Sequence, residues 1–182
     1  MQETSLKIRL FGDPVLRKKA KPVERVTDYH RNILSEMARL MYAVSGIGLA
    51  ASQVGINESM IVVDVGSGLY KLINPKITKK EGRQVTEEGC LSLPGVCIKV
   101  KRAKKVTIKA QDEFDKPLTL EAEDLLACVF QHEIEHLKGK LIVDYASLLD
   151  KFKIRKKIEI LKEKVEDERL SEPKTESCKL QL

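Results

Sequence analysis

The residues best suited to chemistry lie in residues 131–137, which read Gln-His-Glu-Ile-Glu-His-Leu. His132 and His136 are four residues apart, so on a helix both imidazoles project from one face, about one turn apart. Two histidines at this spacing can bind one divalent metal ion, and Glu133 can then act as general base on a metal-bound water. The alternative is a chance match in a surface helix, because short motifs carry a real false-positive rate.

The residues before this segment predict the helix that must carry it. Asp124 is a suitable N-cap, and the apolar residues 125–130 run helically into the motif. One stripe of this helix contains both histidines together with Leu125 and either Cys128 or Val129. The sequence therefore predicts that the two histidines lie on the buried, apolar side of the helix.

A second segment, residues 87–94, supplies a candidate third ligand. It reads Glu-Glu-Gly-Cys-Leu-Ser-Leu-Pro, which is not typical of a cysteine packed in a core. Cys90 with two histidines and a water would form an open catalytic site, whereas structural sites usually have four protein ligands. A reduced structural thiol is the commoner role of a single cysteine. Cys97 and Cys128 remain competing ligand candidates.

A third segment, residues 46–55, is rich in glycine and contains the pattern G-x-G-x-x-A. A dinucleotide-binding fingerprint would need a strand before it and a helix after it. Here the order is reversed, so that interpretation is disfavoured. The glycines instead indicate backbone that comes close to a ligand, and Gln53 offers an amide donor at the end of the segment.

The remaining elements are shorter and predict an α+β fold around the metal-binding helix. An N-terminal helix, capped by Thr27 or Asp28, has apolar residues at 33, 37, 40 and 41. Strands are predicted at 60–63, 72–75, 106–110 and 118–122, with a hairpin connection at 112–117. We expect a single catalytic domain of residues 1–165, including a last helix at 147–165. Residues 166–182 are polar and are expected to form a disordered tail.

Composition and charge limit the class of protein and its setting. The 182 residues correspond to about one domain, and no apolar run is long enough to cross a membrane. No secretory signal is visible and the four cysteines show no pairing pattern, so we expect a cytoplasmic protein with reduced thiols. Residues 151–164 contain seven Lys or Arg and two Glu, a local charge of +5 within a total of +6. This basic helix could bind phosphate backbones.

Three motifs together resemble the peptide deformylase family: GIGLAASQ, EGCLSLP and QHEIEHLKG, in this order. The similarity covers roughly residues 10–164. It implies that Cys90, His132 and His136 bind the metal and that Glu133 is the catalytic carboxylate. It also implies that the Gln53 side chain and the Leu91 backbone N–H stabilise the oxyanion. The usual metal of the family is Fe(II), although Zn(II), Ni(II) and Co(II) can occupy the site.

The resemblance implies a hydrolase that removes the formyl group from the N-terminal formyl-methionine of newly made polypeptides and releases formate. The methionine side chain then needs an apolar pocket beside the metal. The candidate substrate-binding residues are Ile47, Gly48, Glu88, Leu125, Cys128 and Val129. The last helix resembles that of bacterial members in which the C-terminus helps dock on the ribosome, so ribosome binding is expected. We expect no membrane or DNA partner.

Two residues depart from the family pattern. Glu135 stands where the family usually has Asp, and because the charge is kept we expect an effect on helix support and not on ligation. Cys97 stands where many members have an arginine, so substrate affinity is expected to be weaker or differently arranged.

Two other functions share some of these features. A zinc endopeptidase with the same histidine motif is disfavoured, because its third ligand normally follows the helix and no suitable residue does so here. A non-enzymatic RNA- or ribosome-binding protein with a structural metal is supported only by the charge of the last helix.

Overall fold

Two antiparallel sheets and three helices form the protein in a computed structural model that describes residues 6–171, with side chains described to residue 168. The helices are α1 (Asp28–Ala43), α2 (Asp124–His136) and α3 (Leu148–Ser171). The strands are β1 (Gly48–Ala50), β2 (Met60–Val63), β3 (Tyr70–Glu81), β4 (Gln84–Glu88), β5 (Ile98–Arg102), β6 (Lys105–Gln111) and β7 (Pro117–Glu123). Short 3₁₀ helices lie at Pro14–Arg17, Ala51–Val54 and Ile142–Tyr145. The predicted α+β class is confirmed.

The larger sheet has the order β1-β2-β3-β6-β7, and β4 pairs only with β5 in a second, two-stranded sheet. The predicted hairpin between β6 and β7 is confirmed. Its turn is fixed by Asp112, whose Oδ1 accepts hydrogen bonds from the backbone N–H groups of Phe114 and Lys116. An aspartate that binds the backbone two residues on is a common way to close such a connection.

The helix α2 is enclosed by the larger sheet on one side and by the candidate site on the other. Phe130, Ile134 and Leu137 pack against apolar side chains of β2, β3 and β6. Phe130 is fully buried and meets the ring of Tyr70 edge to face, with ring centroids 5.4 Å apart. This packing fixes the rotation of α2, and the rotation decides where the histidines point. The structure begins the helix at Asp124 itself, with Glu123 in the cap position predicted for Asp124.

The helix α1 begins where predicted, because Thr27 is its N-cap. The Nδ1 atom of His30 accepts a hydrogen bond from the backbone N–H of Thr27 at 3.0 Å, which satisfies a donor that the helix itself leaves free. The predicted apolar positions face inward: Met37 and Met41 are fully buried, and the side chains of residues 33 and 40 are partly buried.

The helix α3 packs along one stripe and exposes the rest. Leu161 and Val165 are buried and Ile154 and Ile158 are half-buried, as their spacing predicts. The helix continues to Ser171, beyond the predicted end at 165, because no glycine or proline interrupts the sequence there. The rest of the predicted tail, residues 172–182, lies outside the described residues.

Three strands were not predicted: β1, β4 and β5. The first is only three residues long and lies in the glycine-rich segment. β4 is Gln-Val-Thr-Glu-Glu, a polar sequence whose side chains alternate between half-buried and exposed positions. Within residues 6–171 no helix is long and apolar enough to cross a membrane.

Candidate metal centre and active site

The helix α2 directs both motif histidines to one point. The Nε2 atoms of His132 and His136 lie 3.2 Å apart, as expected for two residues one helical turn apart. His136 is buried, and this burial, with His132 nearby, lowers its pKa well below the ordinary value. Burial therefore favours the neutral form of this ring, which is the form that binds a metal. Burial also lowers the pKa of His132, but its contacts with Cys90 and Glu88 outweigh burial and raise that pKa, so this ring would release a proton on binding a metal.

The loop after β4 brings Cys90 to the same point. Its Sγ lies 3.2 Å from the Nε2 of His136, and the backbone N–H of Leu93 donates to the Cys90 carbonyl at 2.9 Å, which holds the turn. Among the described residues, Cys90, His132 and His136 form the one cluster of ligand-type atoms that lie within 4.8 Å of one another. Cys97 is exposed and Cys128 is buried outside this cluster.

The spacing of the three donor atoms suits a tetrahedral metal ion. Nitrogen ligands at about 2.0–2.1 Å from a metal and sulfur at about 2.3 Å would be separated by roughly 3.3–3.6 Å at tetrahedral angles. The Nε2 of His136 lies 3.2 Å from both the Cys90 Sγ and the His132 Nε2, close to those values, and all three atoms lie within 4.8 Å of one another. One sulfur and two nitrogen donors leave a fourth position open, which is the arrangement of a catalytic site.

A buried ion-pair network contacts His132 on the ring nitrogen that faces away from the cluster. The Oε2 atom of Glu88 lies 3.1 Å from the Nδ1 of His132, so the carboxylate fixes the ring with Nε2 toward the cluster. Arg102 donates to Glu88 through two nitrogens, at 2.7 and 2.8 Å, and to Glu135 at 2.6 Å. The hydroxyl of Tyr145 donates to the other oxygen of Glu135 at 2.7 Å.

Hydrogen bonds and burial in this network shift the pKa values of Glu88 and Tyr145 in opposite directions. Burial alone would raise the pKa of Glu88, but the hydrogen bonds from Arg102 and His132 outweigh it and hold the pKa at about 2. Burial and the hydrogen bond to Glu135 raise the pKa of Tyr145 to about 12. Glu88 is therefore a carboxylate at neutral pH and Tyr145 keeps its proton.

Glu133 lacks the hydrogen-bond donors that Glu88 has. It is 3% exposed, and its Oε2 atom has no hydrogen-bond partner among the described residues. Burial raises its pKa to about 7. A carboxyl group with this pKa can both take and return a proton near neutral pH, which is the requirement for a general acid–base.

The backbone of β1 passes directly over this carboxylate at Gly48. A Cβ atom at this position would collide with the Glu133 carboxylate and would lie 2.8 Å from Val129. Only glycine therefore fits between β1 and α2. The glycine-rich segment was predicted to bring backbone close to a ligand, and at Gly48 the close neighbour is the catalytic candidate itself.

Gln53 and Leu91 are the predicted oxyanion donors. Gln53 is 1% exposed, and its Oε1 accepts a hydrogen bond from the Ala50 N–H at 2.9 Å. This bond directs its Nε2 toward Ser92 at 3.2 Å and the Cys90 sulfur at 3.6 Å. Leu91, the residue after Cys90, lines the same cavity as Gln53.

A cavity of about 530 Å³ opens beside this cluster. All six predicted substrate-binding residues line it: Ile47, Gly48, Glu88, Leu125, Cys128 and Val129. Ile47 and Leu125 are about half exposed and stand at the mouth, whereas Cys128 and Val129 are buried. The carboxylate of Glu88 is already bound by Arg102 and His132, so this residue serves the histidine more directly than the substrate.

Sequence reasoning missed Arg102, Tyr145 and Thr86. Arg102 carried a signal, because residues 98–102 alternate Ile-Lys-Val-Lys-Arg and the third inward position is the arginine. Thr86 lines the cavity and donates to Glu88 at 3.0 Å, but it lies in the strand that the sequence did not reveal. Nothing in the sequence pairs Tyr145 with Glu135.

Comparison with known proteins agrees with this geometry. The family described as polypeptide deformylase matches residues 5–152. A peptide deformylase of Thermoanaerobacter pseudethanolicus is 52% identical over 139 residues, which are 76% of this chain and 87% of that protein.

Solved structures show the same fold. The peptide deformylase of Thermus thermophilus superposes with a TM-score of 0.83 at 36% identity, covering 87% of this chain and 98% of that one. The peptide deformylase of Synechococcus elongatus, solved in complex with actinonin, gives a TM-score of 0.81 at 42% identity over 86% and 88% of the two chains.

The fold and the cavity with its Cys-His-His cluster define a metal-dependent hydrolase. The chain belongs to the polypeptide deformylase family. Its activity is removal of the N-formyl group from newly made polypeptides.

Proposed function

We propose that Cys90, His132 and His136 bind one divalent metal ion and that Glu133 is the general acid–base of deformylation. The single observation that carries this proposal is the convergence of one sulfur and two nitrogen atoms beside a buried, unpartnered carboxylate. The assignment of Fe(II) as the physiological metal, with Zn(II), Ni(II) or Co(II) as possible replacements, rests on the resemblance of the three motifs to the family.

Each residue then has a defined task. A divalent metal held by Cys90, His132 and His136 would supply Lewis acidity, which lowers the pKa of a water molecule from about 15.7 to about 7. Glu133 accepts a proton from this water as the water oxygen attacks the formyl carbon. It later delivers a proton to the departing amine as the carbon–nitrogen bond breaks. The Gln53 amide and the Leu91 N–H donate to the oxygen on which negative charge develops. Formate leaves, and the peptide keeps its methionine.

The cavity accounts for selection of an N-terminal methionine. The helix α2 gives the cavity an apolar wall of Leu125, Cys128 and Val129, on which an unbranched thioether side chain can pack. Ile47 and Gly48 bound it from the side of β1. Exposed Cys97 offers no charge to a peptide, so we propose that peptide affinity depends on this cavity.

The proposed setting is the cytoplasm, at the ribosome. The cysteines among the described residues are free, as a thiolate ligand requires. Lys153, Lys156 and Lys164 are exposed on α3, away from its packed stripe, and could meet ribosomal RNA.

The test compares two peptides that differ in one group. The protein should release formate from formyl-Met-Ala-Ser and leave acetyl-Met-Ala-Ser intact. The Glu133→Ala variant should keep close to one metal ion per chain, because Glu133 is not a ligand. Its turnover should fall by roughly 10²–10⁴-fold, the usual contribution of a general acid–base. Undiminished formate release by Glu133→Ala would overturn the mechanism.

A further inference from the structure

Four consecutive contacts connect Tyr145 to the histidine His132. The Tyr145 hydroxyl donates to Glu135 at 2.7 Å, and Arg102 donates to the other oxygen of Glu135 at 2.6 Å. Arg102 then donates to Glu88 at 2.8 Å, and the same Glu88 oxygen lies 3.1 Å from the Nδ1 of His132. Every contact in the series is of hydrogen-bonding length.

Arg102 is the centre of this series and has little freedom to leave it. Its side chain is 3% exposed, and its Nε, Nη1 and Nη2 atoms each donate to a carboxylate oxygen. The ring of Tyr145 lies against the guanidinium, with 5.4 Å between the Arg102 Cζ and the ring centroid. Tyr145 therefore contacts Arg102 directly through its ring and indirectly through Glu135.

Glu135 is the more exposed of the two glutamates in the network, with 17% of its side chain accessible against 10% for Glu88. Glutamate has one more rotatable bond than aspartate, and fixing it costs conformational entropy. One of its oxygens is bound by Arg102 and the other by Tyr145. Without the Tyr145 hydroxyl, the Glu135 carboxylate would keep only its hydrogen bond from Arg102. A single hydrogen bond fixes the longer glutamate side chain less firmly than two.

We propose that Tyr145 is a positioning residue for the metal site. Its hydroxyl holds Glu135 on Arg102, so that Arg102 keeps Glu88 against His132 and the ring of His132 stays directed at the cluster. The inference rests on the proposed role of His132 as a ligand. It assigns the 3₁₀ helix Ile142–Tyr145, which leads into α3, a task in metal binding.

The decisive variant is Tyr145→Phe, which removes the hydroxyl and keeps the ring. Loss of a group that directly holds a metal ligand typically weakens metal binding by roughly 10–100-fold. Tyr145 acts through three further residues, so we expect a smaller effect, about threefold to tenfold on the dissociation constant of Co(II) or Zn(II) in chelator competition. The visible absorption bands of the Co(II) protein should also shift, because they report the ligand field.

Kinetics should separate positioning from substrate binding. Tyr145 does not line the cavity. The Tyr145→Phe variant should therefore lower kcat and leave KM for a formyl-methionine peptide unchanged.

Two controls distinguish positioning from general stabilisation. Asp144, the residue before Tyr145, pairs at 2.7 Å with Arg17 of the 3₁₀ helix Pro14–Arg17. Asp144→Asn weakens this ion pair and should leave metal affinity and the Co(II) spectrum unchanged. In a Glu135→Gln background, Tyr145→Phe should have a smaller effect than in the wild type, because the two residues act through one contact.

Unchanged metal affinity and an unchanged Co(II) spectrum in Tyr145→Phe would overturn the inference, even if the melting temperature fell. An equal effect of Asp144→Asn would also overturn it. A wild-type protein that binds one metal ion but releases no formate would refute the proposed function alone, since chelator competition would still test Tyr145. A wild type that binds no metal would refute both.

Discussion

At the scale of single residues, two glutamates that neighbour His132, one in contact with its ring and one next to it in the chain, have opposite properties. Glu88 has hydrogen-bond donors from Arg102 and His132 and a pKa of about 2, whereas Glu133 is buried with an unpartnered oxygen and a pKa of about 7. Environment, not residue type, therefore separates the carboxylate that orients from the carboxylate that exchanges protons.

The raised pKa of Glu133 predicts how stability depends on pH in the metal-free protein. The group titrates near 4.5 when unperturbed and near 7 in the folded state. Its ionisation therefore costs no folding free energy below about pH 4.5, an increasing amount up to about pH 7, and a constant amount above. Glu133→Gln, which stays neutral, should gain stability over the wild type across this window, by at most roughly 3 kcal/mol.

Urea unfolding of chelator-treated proteins at about pH 4.5 and pH 8 measures this difference. The conservative change keeps the size of the side chain, so packing should contribute equally at both pH values. A stability difference between Glu133→Gln and the wild type that is the same at both would contradict the prediction.

The sequence contains local signals for the candidate site residues but few for the residues that support them. Two histidines at helical spacing and a cysteine after a glycine are local patterns, and their chemistry follows from residue type. Arg102 and Tyr145 act through contacts between distant segments, and local periodicity does not contain these contacts. The prediction that Glu135 affects helix support and not ligation remains to be tested, but the structure places Glu135 in contact with the arginine that holds Glu88.

At the scale of elements, the long periodic segments were predictable and the short strands were not. α1, α2 and α3 each show apolar residues at helical spacing, and β2, β6 and β7 have buried or alternating patterns. β4 forms a two-stranded sheet with one solvent-facing side, so only weak alternation marks it. That small sheet nevertheless positions Glu88 and leads directly into Cys90.

The helix α3 allows a test of the proposed ribosome contact. Lys153, Lys156 and Lys164 are exposed, and Lys157, also exposed, donates a hydrogen bond to the Gly95 carbonyl. Reversing the first three to Glu should weaken binding to ribosomes and make it less sensitive to salt, because fewer phosphate contacts are made. Turnover of a formyl-methionine tripeptide should not change, since none of the three lines the cavity.

Co-sedimentation with ribosomes at two salt concentrations provides the measurement. The matched control reverses Lys79, Lys80 and Lys104, exposed lysines outside α3, to Glu. Equal loss of binding in both triple variants would show that net charge, and not α3, is responsible.

At the scale of the whole molecule, the metal cluster adds a second link between α2 and the smaller sheet, beside the contacts of Glu88 and Arg102 with His132 and Glu135. His132 and His136 belong to the helix packed on the larger sheet, and Cys90 belongs to the loop that follows the first strand of the smaller sheet. A ligand that binds only the folded state stabilises it, by about 4 kcal/mol at a thousand times its dissociation constant. The metal should therefore hold the smaller sheet onto the rest of the fold.

Removing the metal with a chelator should lower the melting temperature by roughly 10 °C, given about 2–4 °C per kcal/mol in a chain of this size. Amide exchange should become faster in residues 89–97 and in the second half of α2, and should change little in the β6–β7 hairpin. Cys90→Ala should show no response to chelator, whereas Cys128→Ala should respond as the wild type does. Unchanged exchange around Cys90 would show that the cluster does not join these parts.

The close approach of β1 to α2 has a consequence for inhibitor resistance. Gly48 cannot accept a side chain without displacing Glu133, and Glu133 itself is proposed to move the proton. Ile47 and Leu125 at the mouth are about half exposed and have room to change. Substitution of these exposed residues can weaken the binding of a compound that contacts mainly the mouth, while the enzyme keeps its activity. A compound bound against the backbone of Gly48 and the carboxylate of Glu133 leaves the enzyme no such route.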